Sequence, residues 1–531
     1  MDSLISSTSL LEGLRADLGQ RRIGAGLTRL EQYWSGRGGF DPADPETACL
    51  LCYIAQWVDA GWRDIDVVQT GLAAFPSGAR ARLSMQQYVH VLMAEGAVQV
   101  SEENVDRALV TFGQVTSLGS EINDPQLLSL AHFWSSRCLR KGGGYDSAVG
   151  HLAEARWLAT VADCEPMTLP MLAAEAWILF QKGRTRDAIR LLEEADEGLK
   201  RCDDYITRGN VESSYGRMYR RDGRYELAGR HFTAAIDEYR KRDPEHRNLA
   251  RSLANLGLVE RLMALQLRKN IDAAAARKQR SEPDLRARYE HQRSNAMAHL
   301  DQAAEIYAGH ANYRGSGTVC VNRGHLMLDS GELQQAVAEA QHALELGVEK
   351  NDRILIARAR LLQCMVQNAM LEEEIEDPAW VAQRALEAAK EAVACARLTE
   401  NRRLLARALV WQGMTLCATS PGSLDAARDI CDQAANLLKN ETQDHIWEDL
   451  QTLKTRVVRG GSVNEKLQEW SQGAVGERSF QQLTEDFADL IIPRVWENEG
   501  RKVARVARRL SISPKKVRRV LNRLGLHGGA A

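Results

Sequence analysis

Tyr215-Gly216-Arg217-Met218-Tyr219, then Gly223-Arg224-Tyr225, then Ala228, Phe232 and Ala235, is the stretch on which the reading of most of this chain turns. Its glycine has partners at a fixed distance, since Gly143, Gly183 and Gly223 recur every 40 residues. Five residues after each glycine stands an alanine (Ala148, Ala188, Ala228), and seven residues further another (Ala155, Ala195, Ala235). A larger apolar residue, Leu152, Leu192 or Phe232, lies between them. Two antiparallel helices pack closely only where small side chains let their backbones approach, and glycine suits the turn that joins them. Small residues repeated in this way are packing residues, with no catalytic role.

The pattern resembles the tetratricopeptide repeat. A fourth unit reads Gly324, Gly331, Ala336, Ala340 and Ala343, and weaker ones occur from Ala382 to Ala396, Gly413 to Ala434, Cys49 to Ala73 and Tyr88 to Gly119. The resemblance covers most of the chain. It implies an all-α fold, a tetratricopeptide-like α-solenoid of roughly eight to ten helical hairpins over residues 1–457. It also implies a groove for a protein or peptide partner. The 40-residue period exceeds the ~34 of the standard repeat, so helices or connections should be longer by a turn or so. Gly223 and Gly331 are 108 residues apart, two periods and 28 residues more. The surplus falls at 268–294, where Ala273 to Ala276 lead into Arg277-Lys278-Gln279-Arg280 and then a stop and restart at Ser281-Glu282-Pro283-Asp284. Two helices extended by about 14 residues each would protrude by roughly 21 Å. This arm carries eight basic and four acidic residues, which suits a solvated, salt-bridged helical pair or else a partner or DNA contact.

The charge is unevenly placed. The formal net charge is −2, yet Arg501 to Leu526 holds ten Lys or Arg and no Asp or Glu, so the first 500 residues carry −12. A basic module on an acidic body points to nucleic acid. Residues 458–478, with Arg459-Gly460-Gly461-Ser462 and Ser471-Gln472-Gly473, read as a linker. In residues 479–531, Ser479 and Gln482 form a capping-box pattern opening a helix with Leu483, Phe487, Leu490, Ile491 and Val495 on its apolar side. A second helix, Lys502 to Leu510, turns Val503, Val506, Ala507 and Leu510 inward. Ser513 as N-cap and Pro514 at the first position start a third, whose Val517, Val520, Leu521 and Leu524 should face the core. Lys515, Arg518, Arg519 and Asn522 then face out. Arg can bridge guanine O6 and N7, and Asn adenine N6 and N7, in a major groove.

Val503, Ala507, Leu510-Ser511-Ile512-Ser513, Val517, Leu521 and Leu524-Gly525-Leu526 resemble the Fis-type helix-turn-helix domain of bacterial regulators, over about 45 residues. The resemblance makes the module a small three-helix DNA-binding domain with Ser513 to Leu524 as recognition helix. Arg501, Lys502 and Arg523 would hold phosphates, and Lys516 lies on the same basic helix. Ser511 stands where the family usually has the turn glycine, and Pro493 interrupts the helix that pairs subunits in the family. One recognition helix reads few base pairs, so a homodimer or higher oligomer is expected.

Several classes are set aside. There is no GxxxxGK[ST] phosphate loop, HExxH or GxSxG motif, and no spaced Cys/His cluster, so neither an enzyme nor a cofactor or metal site is expected. Cys49-Leu50-Leu51-Cys52 is a lone CxxC in an apolar run, read as core packing rather than metal or redox chemistry. No apolar run approaches the ~20 residues of a membrane span, and the start lacks a secretory pattern, which suggests a cytoplasmic protein, nucleoid-associated when DNA-bound. The expected function is a DNA-binding transcription regulator whose solenoid senses a protein, peptide or small ligand. The alternative is a scaffold or adaptor whose basic tail docks on a partner or anchors nonspecifically to nucleic acid.

Overall fold

Gly143, Gly183, Gly223 and Gly331 all adopt left-handed backbone conformations, with φ of +87°, +81°, +73° and +77°. Each closes a helix in the same way. The N–H of Gly223 donates to the Arg220 carbonyl (3.2 Å) and that of Arg224 to the Tyr219 carbonyl (2.9 Å). Gly183 with Arg184, and Gly331 with Glu332, repeat this double closure. The next helix begins one or two residues later, so the chain reverses within a very short turn. Many first helices begin on an Asp or Asn that accepts from the main chain: Asp124 from Leu127, Asp204 from Thr207, Asn312 from Gly315 and Asp352 from Leu355. Such a cap contributes about 1 kcal/mol.

The computed structural model describes residues 6–35, 40–41, 44–62, 65–241, 243–276, 282–419, 424–439, 444–460, 470, 476 and 478–526. Every regular element among them is helical, and no strand occurs. The chain divides into two compact units, Met1–Lys454 and Thr455–Ala531. The first is a tetratricopeptide-like α-solenoid of consecutive helical hairpins. The units read from the sequence are Pro125–Gly142 with Tyr145–Val161, Thr168–Gln181 with Thr185–Leu199, Tyr205–Arg221 with Tyr225–Arg240, and Tyr313–Asp329 with Leu333–Glu349.

The repeated alanines lie at the helix crossings. Ala148, Ala155, Ala188, Ala195, Ala228, Ala235, Ala336, Ala340 and Ala343 are all fully buried, as is Phe232. Gly216 shows why a small residue is needed opposite Phe232, since a Cβ there would lie 2.9 Å from the ring. At Gly324 it would lie 2.5 Å from Leu362 Cδ2. Tyr219 packs differently. It is half-buried and stacks on His231 at 5.0 Å between centroids, with the Arg224 guanidinium on its ring at 4.9 Å. Cys49 and Cys52 are buried in Thr47–Asp59, and burial pushes the Cys49 thiol up to about 11.

The surplus at 268–294 lengthens one hairpin, Arg247–Ala276 with Glu282–Gly309, of 30 and 28 residues. Arg277 to Ser281 lie outside the described residues. The arm's described charges are largely matched within it or with its neighbours: Arg286 with Glu282, Arg268 with Asp272, Lys269 with Glu448, and Arg293 with Glu332. That is the pattern of a solvated, salt-bridged helical pair.

The body also ties distant repeats together. The Asp203 carboxylate accepts from the main-chain N–H groups of Ile23 (2.5 Å) and Gly24 (2.7 Å), capping Ile23–Ser35 from 180 residues away. Arg15 makes a bidentate pair with Asp124. The turn at Gly143 docks on Thr399 and Glu400, whose N–H donates to the Gly143 carbonyl at 3.1 Å. Successive hairpins therefore curl until repeats far apart in sequence meet.

Candidate nucleic-acid interface and solenoid cavity

In the second unit, Ser479 and Gln482 cap each other's main chain at the start of Phe480–Asn498. Val503–Arg509 and Pro514–Arg523 follow. The core joins Ile492 and Trp496 of the first helix, Val506 and Ala507 of the second, and Val517, Val520 and Leu521 of the third. Here the first helix departs from expectation. The apolar core it shares with the other two helices is confined to Ala488, Ile492, Val495 and Trp496. Phe487, expected inside, is 49 % exposed, and Leu483, Leu490 and Ile491 are only half-buried. Leu524, also expected in the core, is 41 % exposed because it caps the third helix rather than belonging to it. Arg459-Gly460, expected in the linker, is still helical, in His445–Gly460. Residues 461–469, 471–475 and 477 of the expected linker lie outside the described residues.

The turn between the second and third helices is tight. Ser511 has φ +51°, the left-handed conformation that the expected glycine would adopt without strain. The Ile512 N–H returns to the Ala507 carbonyl at 3.0 Å. Ser513 then accepts from the Lys516 N–H at 3.2 Å, with Pro514 at the first helical position.

Lys515, Arg518, Arg519 and Asn522 are exposed on the third helix, as are Arg501, Lys502 and Ser513 nearby, while Lys516 is half-buried. Arg501 lies over the Trp496 ring, 5.5 Å from its centroid. Arg523 differs: it pairs with Glu485 and Asp489 of the first helix, which raise its already high pKa by hydrogen bonding and charge. A phosphate-holding role for Arg523 therefore competes with two carboxylates. Arg509 likewise pairs with Glu499. The remaining eight cations of the basic stretch have no carboxylate partner among the described residues.

A second site, which the sequence reading missed, lies inside the solenoid. A cavity of about 130 Å³ is lined by Arg140, Arg217 and Arg251 together with apolar groups including Trp57, Met171 and Trp177. Two more arginines on its wall are neutralised, Arg137 by both oxygens of Asp59 (2.7 and 2.9 Å) and Arg21 by Asp204 (2.6 Å). Arg140, Arg217 and Arg251 have no carboxylate within ion-pair distance among the described residues. Arg140 lies over Trp177 at 5.0 Å, and Arg251 donates to Asn210 Oδ1 at 2.5 Å. The Nε of each is buried without an acceptor. Burial, then the charges of Arg251 and Arg137, push the Arg140 guanidinium down to about 9. Burial, then Arg251, Arg220 and Arg140, push Arg217 well below the usual range. A signal was present: Arg137 and Arg140 stand six and three residues before Gly143, and Arg217 and Arg220 six and three before Gly223. These offsets put arginines on one face of the first helix of two units.

Among the described residues, no cluster of three or more His, Cys, Asp or Glu could hold a metal ion, and no helix is long and apolar enough to cross a membrane. No protein-family model matches the chain, and no curated protein is significantly similar to it. Among solved structures, the chain is similar to a Rap protein complexed with competence and sporulation factor, at 13 % identity, covering 78 % of this chain and 100 % of that one, with a TM-score of 0.48. It is similar also to the human IFIT1 dimer with m7Gppp-AAAA, at 14 % identity, covering 87 % and 92 %, with a TM-score of 0.47. A third is a signal transduction ATPase with numerous domains carrying a tetratricopeptide repeat sensor, from Pyrococcus horikoshii, at 13 % identity, covering 88 % and 72 %, with a TM-score of 0.36.

Proposed function

We propose that this chain is a DNA-binding regulator in which a tetratricopeptide-like solenoid receives a signal and a Fis-type C-terminal unit occupies duplex DNA. The observation that carries this reading is the division of one short helix. Val517, Val520 and Leu521 are buried, while Lys515, Arg518, Arg519 and Asn522 are exposed and free of carboxylates among the described residues. A capped, ten-residue helix with that outer face suits a major groove, where Arg and Asn read base edges and Lys neutralises phosphate. Recovery of DNA bound to the full-length protein from fragmented genomic DNA tests it. A sharp sequence motif is expected, and its symmetry would report a dimer; a flat distribution of fragments would refute it.

The second reading, a scaffold whose basic unit docks on an acidic protein, is favoured by Arg509 and Arg523, since both already take carboxylates within the unit. A ratio of specific to nonspecific DNA affinity near one would support that reading.

A further inference from the structure

The solenoid cavity is an unusual place for three guanidinium groups. Arg140 belongs to Pro125–Gly142, Arg217 to Tyr205–Arg221 and Arg251 to Arg247–Ala276, so three separate first helices bring them to one cavity. Like charges gathered in a partly dehydrated space repel each other, and without a counter-charge each opposes folding. The neighbouring Arg137 and Arg21 show that the fold supplies carboxylates to this cavity where it neutralises a cation. It supplies Arg251 with an amide oxygen and Arg140 with an indole face, and leaves the Nε groups of both unsatisfied among the described residues.

We propose that this cavity binds a small organic phosphate bearing two or more negative charges, with its phosphate oxygens on Arg140, Arg217 and Arg251 and its organic part against Trp57, Met171 and Trp177. Three converging cations favour a multiply charged anion over a single carboxylate. The planar guanidinium fork offers paired donors that match phosphate geometry. The apolar wall gives an organic body somewhere to lie, which a free inorganic ion would leave unused. Asp59 is the carboxylate on this wall, and Arg137 holds both of its oxygens, so it does not exclude an anion.

The binding is independent of what the C-terminal unit recognises, and the test keeps the two apart. Full-length protein is titrated calorimetrically with inorganic phosphate and with phenyl phosphate, whose size suits the cavity, and its thermal unfolding is followed with each. Both probes should bind and raise the midpoint, with phenyl phosphate the tighter. Arg217→Gln and Arg251→Gln should each weaken binding by about tenfold or more, the scale of one charge-assisted contact. Each should leave the unliganded protein as stable as the parent, or more so, because a repulsion has been removed. Arg518→Ala, on the exposed basic helix, should change nothing. Absence of heat and of a thermal shift with both probes would overturn the proposal. So would unchanged affinity in both cavity variants, loss of binding in Arg518→Ala, or a response confined to a poly-glutamate peptide.

Discussion

The carboxylate of Glu400 accepts a 2.8 Å hydrogen bond from the main-chain N–H of Asp146, 254 residues earlier in the chain. Asp146 lies in the first turn of Tyr145–Val161, where the free N–H groups of a helix favour a negative charge. Beside it the Gly143 turn meets Thr399, so this hairpin end is both a turn and a contact surface.

Two turn glycines of the same conformation should therefore respond differently. Gly223→Ala meets nothing within 4 Å, so its cost is the left-handed backbone alone, about 1–2 kcal/mol. Gly143→Ala adds a Cβ 2.9 Å from that of Thr399, which should raise the loss by about 1–3 kcal/mol more. Urea unfolding of the two variants measures the difference, and equal losses would show that the Thr399 contact yields freely.

Ala188 and Ala228 are fully buried at helix crossings. Ala188→Trp or Ala228→Trp should destabilise the body by about 1–3 kcal/mol or more through overpacking. An unchanged unfolding midpoint in both would place these alanines away from the interhelix contacts.

Ser511 holds a left-handed conformation that costs a non-glycine residue about 1–2 kcal/mol, and glycine's greater freedom in the unfolded chain offsets part of any gain. Ser511→Gly should leave the C-terminal unit about 0.5–1 kcal/mol more stable. Native-state hydrogen exchange at the amides of Val517, Val520 and Leu521 would check this, and a loss of stability would mean that the serine side chain contributes more than its backbone costs.

On DNA, Arg518→Ala and Asn522→Ala should cost about 1–3 kcal/mol and relax base preference. Lys502→Ala and Arg501→Ala should weaken all sequences alike and lower the salt slope by about 0.9 each. Arg523→Ala should change the slope less, because its charge is already shared with Glu485 and Asp489. Binding measured against salt concentration distinguishes these cases, and an equal slope change for Arg523 and Lys502 would contradict the pairing.

Stability of the body should depend on mild acid. Burial, then the charge of His151, pushes His132 down to about 4 from an ordinary 6.5, and burial does the same to His246. Burial, followed by Arg261 and Arg407 for His325 and by Arg407 and Arg261 for His445, drives these two well below that range. The unfolded chain takes up protons at these groups from about pH 6.5 downward, while the folded body resists until about pH 4. Stability should accordingly fall as pH drops from 6.5 to 4 and show little dependence on these groups above 6.5. Denaturant midpoints across that range would check the sign. A midpoint that rises on acidification would contradict it.

The hairpin register was legible because Gly143, Gly183 and Gly223 announce themselves by spacing, and the alanines follow at offsets that helix geometry imposes. The Ser513 cap was legible for the same reason: its chemistry is local. The arginine cavity was not, because the convergence of Arg140, Arg217 and Arg251 depends on how tightly successive hairpins curl, a sum of many small packing angles. The pairing of Arg523 is not legible along the third helix, because its partners Glu485 and Asp489 lie across the packing on the first. The burial pattern of Phe480–Asn498 was not legible because a long amphipathic helix does not declare which part of its apolar side enters the core.

The cap on Ile23–Ser35 has a consequence for the order of synthesis. Its main-chain N–H groups at Ile23 and Gly24 are satisfied by Asp203, and Arg15 and Arg21 before it wait for Asp124 and Asp204. During synthesis Asp124 follows Arg15 by 109 residues, and Asp203 does not exist until 180 residues beyond Ile23 have been added. This hairpin is thus completed by a part of the chain that arrives much later.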